Sequence, residues 1–249
     1  MIEKIKLDDI EFIAKEAGKA VMEIYKKDFS IEYKEDNSPL TEADVRANEI
    51  ICSFLEKLYP HIPIISEENK EIDYEIRKNW EYYWCIDPID GTKEFVKKNG
   101  EFTINIALLY KNIPILGVVY APAIDELYKA KKGEGAFKNG MLLPLKRDDN
   151  LYMIAISNSH LTQKYQEFVE NMPSLKKKKV IKKGSSLKLC MVASGEVDIY
   201  PRLSPCMEWD TAAADAIVRE SGKKIYQVET KELLVYNKKE LLNPWFVVE

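Results

Sequence analysis

The run Trp84-Cys85-Ile86-Asp87-Pro88-Ile89-Asp90-Gly91-Thr92-Lys93-Glu94-Phe95 constrains this chain more than any other stretch. An apolar, β-rich segment passes directly into two acids, and carboxylates at the end of a buried strand are costly without a counter-charge. Pro88 biases Asp87 toward an extended backbone and Gly91 permits a tight turn, so both carboxylates and the Ile89 carbonyl can converge on one point. Oxygen ligands of that kind suit Mg²⁺. Thr92 can then open a helix whose free N–H groups offer a seat for phosphate. Taken alone, the Asp-Pro-x-Asp-Gly string reads equally well as a surface turn.

Other acids occupy comparable places. Ser66-Glu67-Glu68 follows the apolar strand Ile62 to Ile65 and, by itself, fits a solvated loop entrance. Asp210, in Glu208-Trp209-Asp210-Thr211-Ala212-Ala213, precedes an Ala-rich helix, where capping and metal ligation can coexist in one residue. Thr41-Glu42-Ala43-Asp44 fits a variant capping box, and a structural and a functional role for Asp44 read equally well locally.

Composition narrows the chemistry. The histidines are His61 and His160, and the four cysteines, Cys52, Cys85, Cys190 and Cys206, form no CxxC pair. Zinc and a disulfide framework are therefore disfavoured, the thiols are expected to be reduced, and any metal should be a hard cation. With 249 residues, 46% hydrophobic and 31% charged, the chain can bury one large core or two joined lobes. Its apolar runs are too short to span a bilayer and its first residues are charged, so a cytoplasmic location is expected, with or without peripheral association at the inner membrane. The net charge of −4 gives no general field for polyanions. The basic run Lys176 to Lys179 with Lys182 and Lys183 lacks interleaved aromatics and reads as a solvated loop or edge strand, which argues against a nucleic-acid polymer as partner.

Along the chain, apolar spacing predicts one helix over Asp8 to Lys27 and a second from Thr41 to Pro60. Strands are expected at Ile62 to Ile65, Tyr82 to Ile86, Thr103 to Tyr110, Ile115 to Tyr120, Leu127 to Ala130 and Gly135 to Phe137. That makes the first half two helices on an antiparallel sheet. From Tyr152 the order becomes strand (to Ser157), helix (about Thr162 to Asn171), strand near Val180, helix (Ser186 to Ala193), strand (Val197 to Tyr200) and helix (Thr211 to Glu220), an α/β alternation. The expected organisation is an N-terminal lobe over 1–147 with most metal ligands, and a C-terminal lobe over 148–249 with Asp210 and the nucleotide-binding residues.

Together, Thr41-Glu42-Ala43-Asp44, Ser66-Glu67-Glu68, Asp87-Pro88-Ile89-Asp90-Gly91-Thr92 and Trp209-Asp210-Thr211-Ala212-Ala213 resemble the inositol monophosphatase superfamily in order and spacing. Lys93-Glu94-Phe95, Asn99-Gly100-Glu101-Phe102-Thr103, Gly117 to Pro122, Gly184-Ser185-Ser186-Leu187-Lys188 and Tyr200-Pro201-Arg202 are similar to its CysQ-type 3′(2′),5′-bisphosphate nucleotidase branch. The resemblance implies a five-layer α/β/α/β/α sandwich, Mg²⁺ dependence with two or three ions per site, and lithium sensitivity. It also implies removal of the 3′-phosphate of adenosine 3′,5′-bisphosphate to give AMP, with its sulfated relative as a second substrate, in sulfur assimilation.

On the matching positions, Glu67, Asp87, the Ile89 carbonyl, Asp90 and Asp210 become metal ligands. Asp44 and Thr92, with Glu67, orient the attacking water, and Gly91 and Thr92 hold the phosphate. Lys93, Gly184, Ser185, Ser186, Lys188 and Arg202 are the expected substrate contacts, with Asp210 shared between metal and substrate; His160 is a further candidate near the base or ribose that reads at least equally well as a packed or solvated residue. Met207-Glu208 and Ala214 depart from the family pattern without removing a ligand, and Glu208 adds charge beside Asp210. The partner implied is a small nucleotide bisphosphate, and the assembly a monomer or homodimer. The rival substrates are inositol monophosphate and fructose 1,6-bisphosphate, and the rival class is an inactive metal- or nucleotide-binding regulator.

Overall fold

A computed structural model describes residues 2–27, 29, 31–33, 39–147, 150–157 and 163–249. The first elements are α1 (Leu7–Tyr25), β1 (Ile31–Tyr33), β2 (Pro39–Thr41), α2 (Glu42–Leu58), β3 (Ile64–Ser66), α3 (Tyr74–Arg77), β4 (Tyr82–Asp90) and α4 (Thr92–Val96). The sheet continues with β5 (Thr103–Tyr110), β6 (Ile113–Ala121), β7 (Glu126–Lys131), β8 (Gly135–Lys138) and β9 (Met141–Leu142). The second half holds β10 (Leu151–Ser157), α5 (Gln163–Asn171), β11 (Lys177–Lys183), α6 (Leu187–Ser194), β12 (Tyr200–Arg202), α7 (Trp209–Glu220), β13 (Ile225–Gln227) and β14 (Phe246–Val248).

Strand alternation sorts β4 and β5 between two cores. Trp84, Ile86, Ile104, Ile106 and Leu108 face α1 and α2, whereas Tyr83, Cys85, Ala107 and Leu109 face the residues of α6 and α7. Both faces are therefore buried, which is why these strands read as nearly continuous apolar runs. On the outer side, α1 contributes a stripe of Ile10, Ile13, Ala14, Ala17 and Val21. Seven strands run in the order β3 to β9. All neighbours are antiparallel except β3 and β4, which are parallel, so the sheet is mixed rather than purely antiparallel.

α6 and α7 fill the space between this sheet and a second sheet layer, in which the pair β11–β10 and the three strands β12–β14–β13 are joined by the single bridge Ile154–Ile199. Both helices are buried along nearly their whole length, and small residues let them fit. At Gly117 the closeness is extreme, since a Cβ there would stand 2.1 Å from the Ala213 carbonyl oxygen of α7. On the far side of the second sheet, Tyr165 of α5 packs with Ile154 and Ile156. The layers are thus α/β/α/β/α.

Several expected boundaries shift for physical reasons. β4 runs four residues past Ile86, through the two acids, because a register shift between Asp87 and Asp90 absorbs the Pro without ending the pairing with β5. The strand expected at Val197 to Tyr200 is instead Tyr200–Arg202, since Val197 and Ile199 turn into the two cores on either side of the second sheet. β13 and β14 had no sequence signal beyond short apolar pairs. The basic run is β11, which pairs with β10 at one end of the second sheet and carries its lysines there, the way exposed edges are commonly protected. All four thiols are free. Among the described residues no helix is long and apolar enough to cross a membrane.

Candidate active site

The end of β4, the first turn of α4, the turn before α6, β12 and the start of α7 enclose a cavity of about 660 Å³. Glu67, Asp87, Ile89, Asp90, Gly91, Thr92, Lys93, Ser185, Ser186, Lys188, Arg202 and Asp210 all line it. Asp44 stands just behind, with its Oδ1 3.3 Å from the Thr92 hydroxyl that donates to it. Gly184 is set back by one residue from the lining turn. His160 lies outside the described residues.

Local backbone chemistry aims each acid. Asp87 Oδ1 accepts the Ile89 N–H at 3.0 Å, Asp210 Oδ2 accepts the Met207 N–H at 2.9 Å, and Asp90 Oδ2 accepts the Ser186 N–H. One oxygen of each carboxylate is thereby anchored by a backbone donor. Gly91 makes the reversal after Asp90 with φ of +89°, a conformation L side chains rarely adopt. Asp44 Oδ2 accepts both the backbone N–H of Thr41 at 2.8 Å and its hydroxyl at 2.6 Å, completing a capping box. The two readings of Asp44 were therefore not rivals, since the same carboxylate caps α2 and reaches Thr92.

Ligand oxygens of Asp87, Asp90 and Asp210 lie within 4.8 Å of one another. Burial raises all three acids. Asp87 stands well above the carboxylate range, with Glu67, Asp90, Asp210 and Asp44 adding repulsion. Asp210 is pushed up to about 8 by burial and then by Asp90 and Glu67. Asp90 reaches about 6, held down by Lys188 and the Ser186 N–H. A buried set of mutually repelling oxygens has the chemistry of a divalent-cation site. No imidazole lines the cavity among the described residues, and the one thiol there, Cys206, takes a hydrogen bond from Asn243. The donor set thus fits a hard cation.

A pH signature follows for protein stripped of divalent ions. Acids whose folded pKa exceeds the unfolded value bind more protons when folded, so the contribution of Asp90 and Asp210 to stability is full below about pH 4 and is lost as pH rises toward 8. Thermal unfolding after chelation is expected to show a midpoint that declines over this window and flattens when a divalent cation is restored. A midpoint indifferent to both would contradict the cluster.

Two cations, Lys188 and Arg202, line the same cavity. Lys188 is 2% exposed, donates to the Ser185 carbonyl and lies 5.4 Å from the centre of the Tyr200 ring. Burial drops it to about 8 against the pull of Asp90, with Arg202 adding to the drop. Arg202 donates to the carbonyls of Ser204 at 3.2 Å and Pro205 at 2.7 Å, which directs its side chain along the rim. Glu208 turns away from the cavity, accepting the Asn237 N–H at 2.6 Å and the Lys238 N–H at 3.1 Å. Its charge holds the C-terminal segment and not a substrate. That segment is also gripped by buried Arg77, which donates to Asn237 Oδ1 and to the carbonyls of Lys238 and Lys239.

A model of the inositol monophosphatase family matches residues 6–246. The chain belongs to the inositol monophosphatase family. Within it, the 3′(2′),5′-bisphosphate nucleotidase CysQ of Escherichia coli K12 is 40% identical over 247 residues, 97% of this chain and 98% of that protein. The CysQ nucleotidase of Buchnera aphidicola is 44% identical over 225 residues, 88% of this chain and 83% of that one. The crystal structure of CysQ from Bacteroides thetaiotaomicron, described as a bacterial member of the family, superposes with a TM-score of 0.89 at 40% identity, covering 98% of this chain and 96% of the other. Metal dependence is a property of the family, and the acidic cluster described above answers to it.

The motifs singled out in the sequence gave no role to Glu94 or Thr103 and did not reach Asn105, all buried beside the site. The polar alternation Glu101, Thr103, Asn105 within an apolar strand was the signal that could have found the last two.

Proposed function

We propose that this chain hydrolyses the 3′-phosphate of adenosine 3′,5′-bisphosphate to AMP and phosphate, and acts on its sulfated relative in the same way. The observation that carries the reading is one cavity lined both by a carboxylate cluster and by two cations, Lys188 and Arg202. A substrate with two phosphates can use both: one phosphate would lie at the acids that would hold divalent ions, and the other would pair directly with the cations. The CysQ nucleotidases at 40% identity across nearly the full chain support the same substrate class.

Glu67, Asp87, the Ile89 carbonyl, Asp90 and Asp210 would hold Mg²⁺, as two or three ions. Bound there, the metal supplies Lewis-acid polarisation of the ester and lowers the pKa of water to a range where it attacks at neutral pH. The chain's own part is positioning. Thr92 Oγ1 lies 3.3 Å from Asp44 Oδ1 and 3.2 Å from the Ile89 carbonyl, so its proton is directed to the protein and its lone pairs to the cavity. A water proton can pass to that hydroxyl as the hydroxyl's own proton passes to Asp44 Oδ1, with Glu67 orienting the water. Gly91 and Thr92 bring backbone N–H groups to the scissile phosphate, and Lys93 adds charge at the same mouth.

Phosphate release across adenosine 3′,5′-bisphosphate, its sulfated relative, inositol monophosphate and fructose 1,6-bisphosphate, with and without Mg²⁺ and Li⁺, tests the reading. The nucleotide is expected to lead in kcat/KM, with Mg²⁺ required and Li⁺ inhibitory. Preference for inositol monophosphate would replace it, and a wild-type chain silent on all four would leave the regulator. Lys188→Ala and Arg202→Ala are each expected to raise KM for the bisphosphate about tenfold or more, the worth of a charge-assisted hydrogen bond. An unchanged KM in both variants would remove them from substrate recognition.

A further inference from the structure

β5 meets the turn before α6 with a row of polar side chains. Glu101, just ahead of the strand, and Thr103 and Asn105 within it alternate with Phe102, Ile104 and Ile106. Residues two apart in a strand share a face. Ala107 and Leu109 carry that face onward into the core containing α6 and α7, while Ile104 and Ile106 pack on the other side.

Each member of the row takes one piece of the turn. Glu101 Oε2 accepts the Gly184 N–H at 2.8 Å, and its Oε1 is 3.3 Å from Lys183 Nζ. Thr103 Oγ1 and Ser186 Oγ are 2.8 Å apart, and the Ser186 hydroxyl donates to Asn105 Oδ1 at 2.9 Å. Thr103, Asn105 and Ser186 are at most 1% exposed, so each relies on the others in place of water. Gly184 sits so close to the row that a Cβ would stand 2.7 Å from the Glu101 carbonyl oxygen, and Ser185 is held at φ of +47°. The turn then reaches in two directions. Its Ser186 N–H goes to Asp90, and its Ser185 carbonyl accepts from Lys188 Nζ.

We propose that Glu101, Thr103 and Asn105 are positioning residues that fix Lys188 relative to Asp90, and so set the separation between the acid cluster and the cation that takes the second phosphate. None of them lines the cavity. They act through the turn, in which three hydrogen bonds over a five-residue span leave little freedom for the bridge between cluster and cation. Because the turn anchors both Asp90 and Lys188, loosening the row moves Lys188 against Asp90. The substrate side of this inference rests on the bisphosphate reading above.

The test compares Glu101→Ala, Thr103→Val and Thr103→Ser with the wild type in two measurements. One is the kcat and KM for adenosine 3′,5′-bisphosphate. The other is the calorimetric affinity of Mg²⁺-loaded protein for inorganic phosphate, which needs no turnover. Glu101→Ala and Thr103→Val are expected to raise KM by about three- to tenfold, more than they lower kcat, and to weaken phosphate binding in parallel, as loss of one hydrogen bond implies. Thr103→Ser, which keeps the hydroxyl, is expected to restore both values. Wild-type KM and phosphate affinity in Glu101→Ala and Thr103→Val would overturn the inference, even if melting points fell, because a packing role alone lowers stability without moving either. If the buried Thr103→Val fails to fold, the half-buried Glu101→Ala carries the same comparison. Should the wild type not turn over the bisphosphate while phosphate binding still weakens in the variants, the substrate assignment fails and the positioning row stands.

Discussion

Asp87→Asn is expected to cost at least about a thousandfold in kcat/KM while making the metal-free protein more heat-stable. The two effects have one cause. Asp87 is 1% exposed, its first penalty is burial, and every charge that acts on it is another acid: Glu67, Asp90, Asp210 and Asp44. The amide keeps an oxygen to accept the Ile89 N–H, so the turn at Pro88 survives. Removing the charge relieves repulsion in protein without divalent ions, and the melting point should rise by a few degrees, at about 2–4 °C per kcal/mol for a chain of this size. The same change deletes an anionic ligand, so stabilisation by added Mg²⁺, which grows as the logarithm of concentration over Kd, should shrink. Loss of about 4 kcal/mol of transition-state stabilisation corresponds to the thousandfold. Near-normal turnover at saturating Mg²⁺ would contradict the ligand assignment; a lower melting point after chelation would contradict the electrostatics.

Gly117→Ala is expected to be the most disruptive single methyl in the molecule. Its Cβ would lie 2.1 Å from the Ala213 carbonyl oxygen and 2.9 Å from both the Ala213 carbonyl carbon and Ala216 Cβ. The obstacle is mainly helix backbone, which no rotamer change can clear, so α7 must lift from β6. A cost of about 3 kcal/mol, or a melting point lower by roughly 10 °C, is the expected scale. Because Asp210 sits in the first turn of α7, displacement of the helix also pulls an acid out of the cluster. Misplacement by about 1 Å can cost a hundredfold in rate. The informative comparison is therefore activity in the fraction that remains folded at low temperature. Wild-type activity there, with a melting point within two degrees of normal, would show that the helix and sheet tolerate separation.

Much of the site was legible because its chemistry is concentrated in short motifs. Asp87-Pro88-Ile89-Asp90-Gly91 carries its own geometry, since Pro restricts the residue before it and Gly supplies the reversal after Asp90. Thr41 to Asp44 carried a capping box for a similar reason, that its partners are three residues apart. The length of β4 was not legible, because pairing with β5 across a register shift overrides the usual meaning of Pro as a strand terminus. Nor was the role of Glu208, whose acceptor duties are fulfilled by Asn237 and Lys238, some thirty residues downstream. An acid beside a metal ligand in sequence need not share its cavity.

The sequence by itself determined which atoms were available: oxygen donors in four separated motifs, scarce histidine, no paired cysteines, and apolar periods that build helices outside and strands within. Those are local properties, set by covalent geometry and side-chain type. Tertiary structure alone decided that Asp210, 120 residues after Asp90, comes within 4.8 Å of it, and that polar side chains of β5 lock the turn facing Lys188. Such convergence depends on how closely a helix can approach a sheet. Here that approach is set at Gly117, a position whose importance lies in what it lacks.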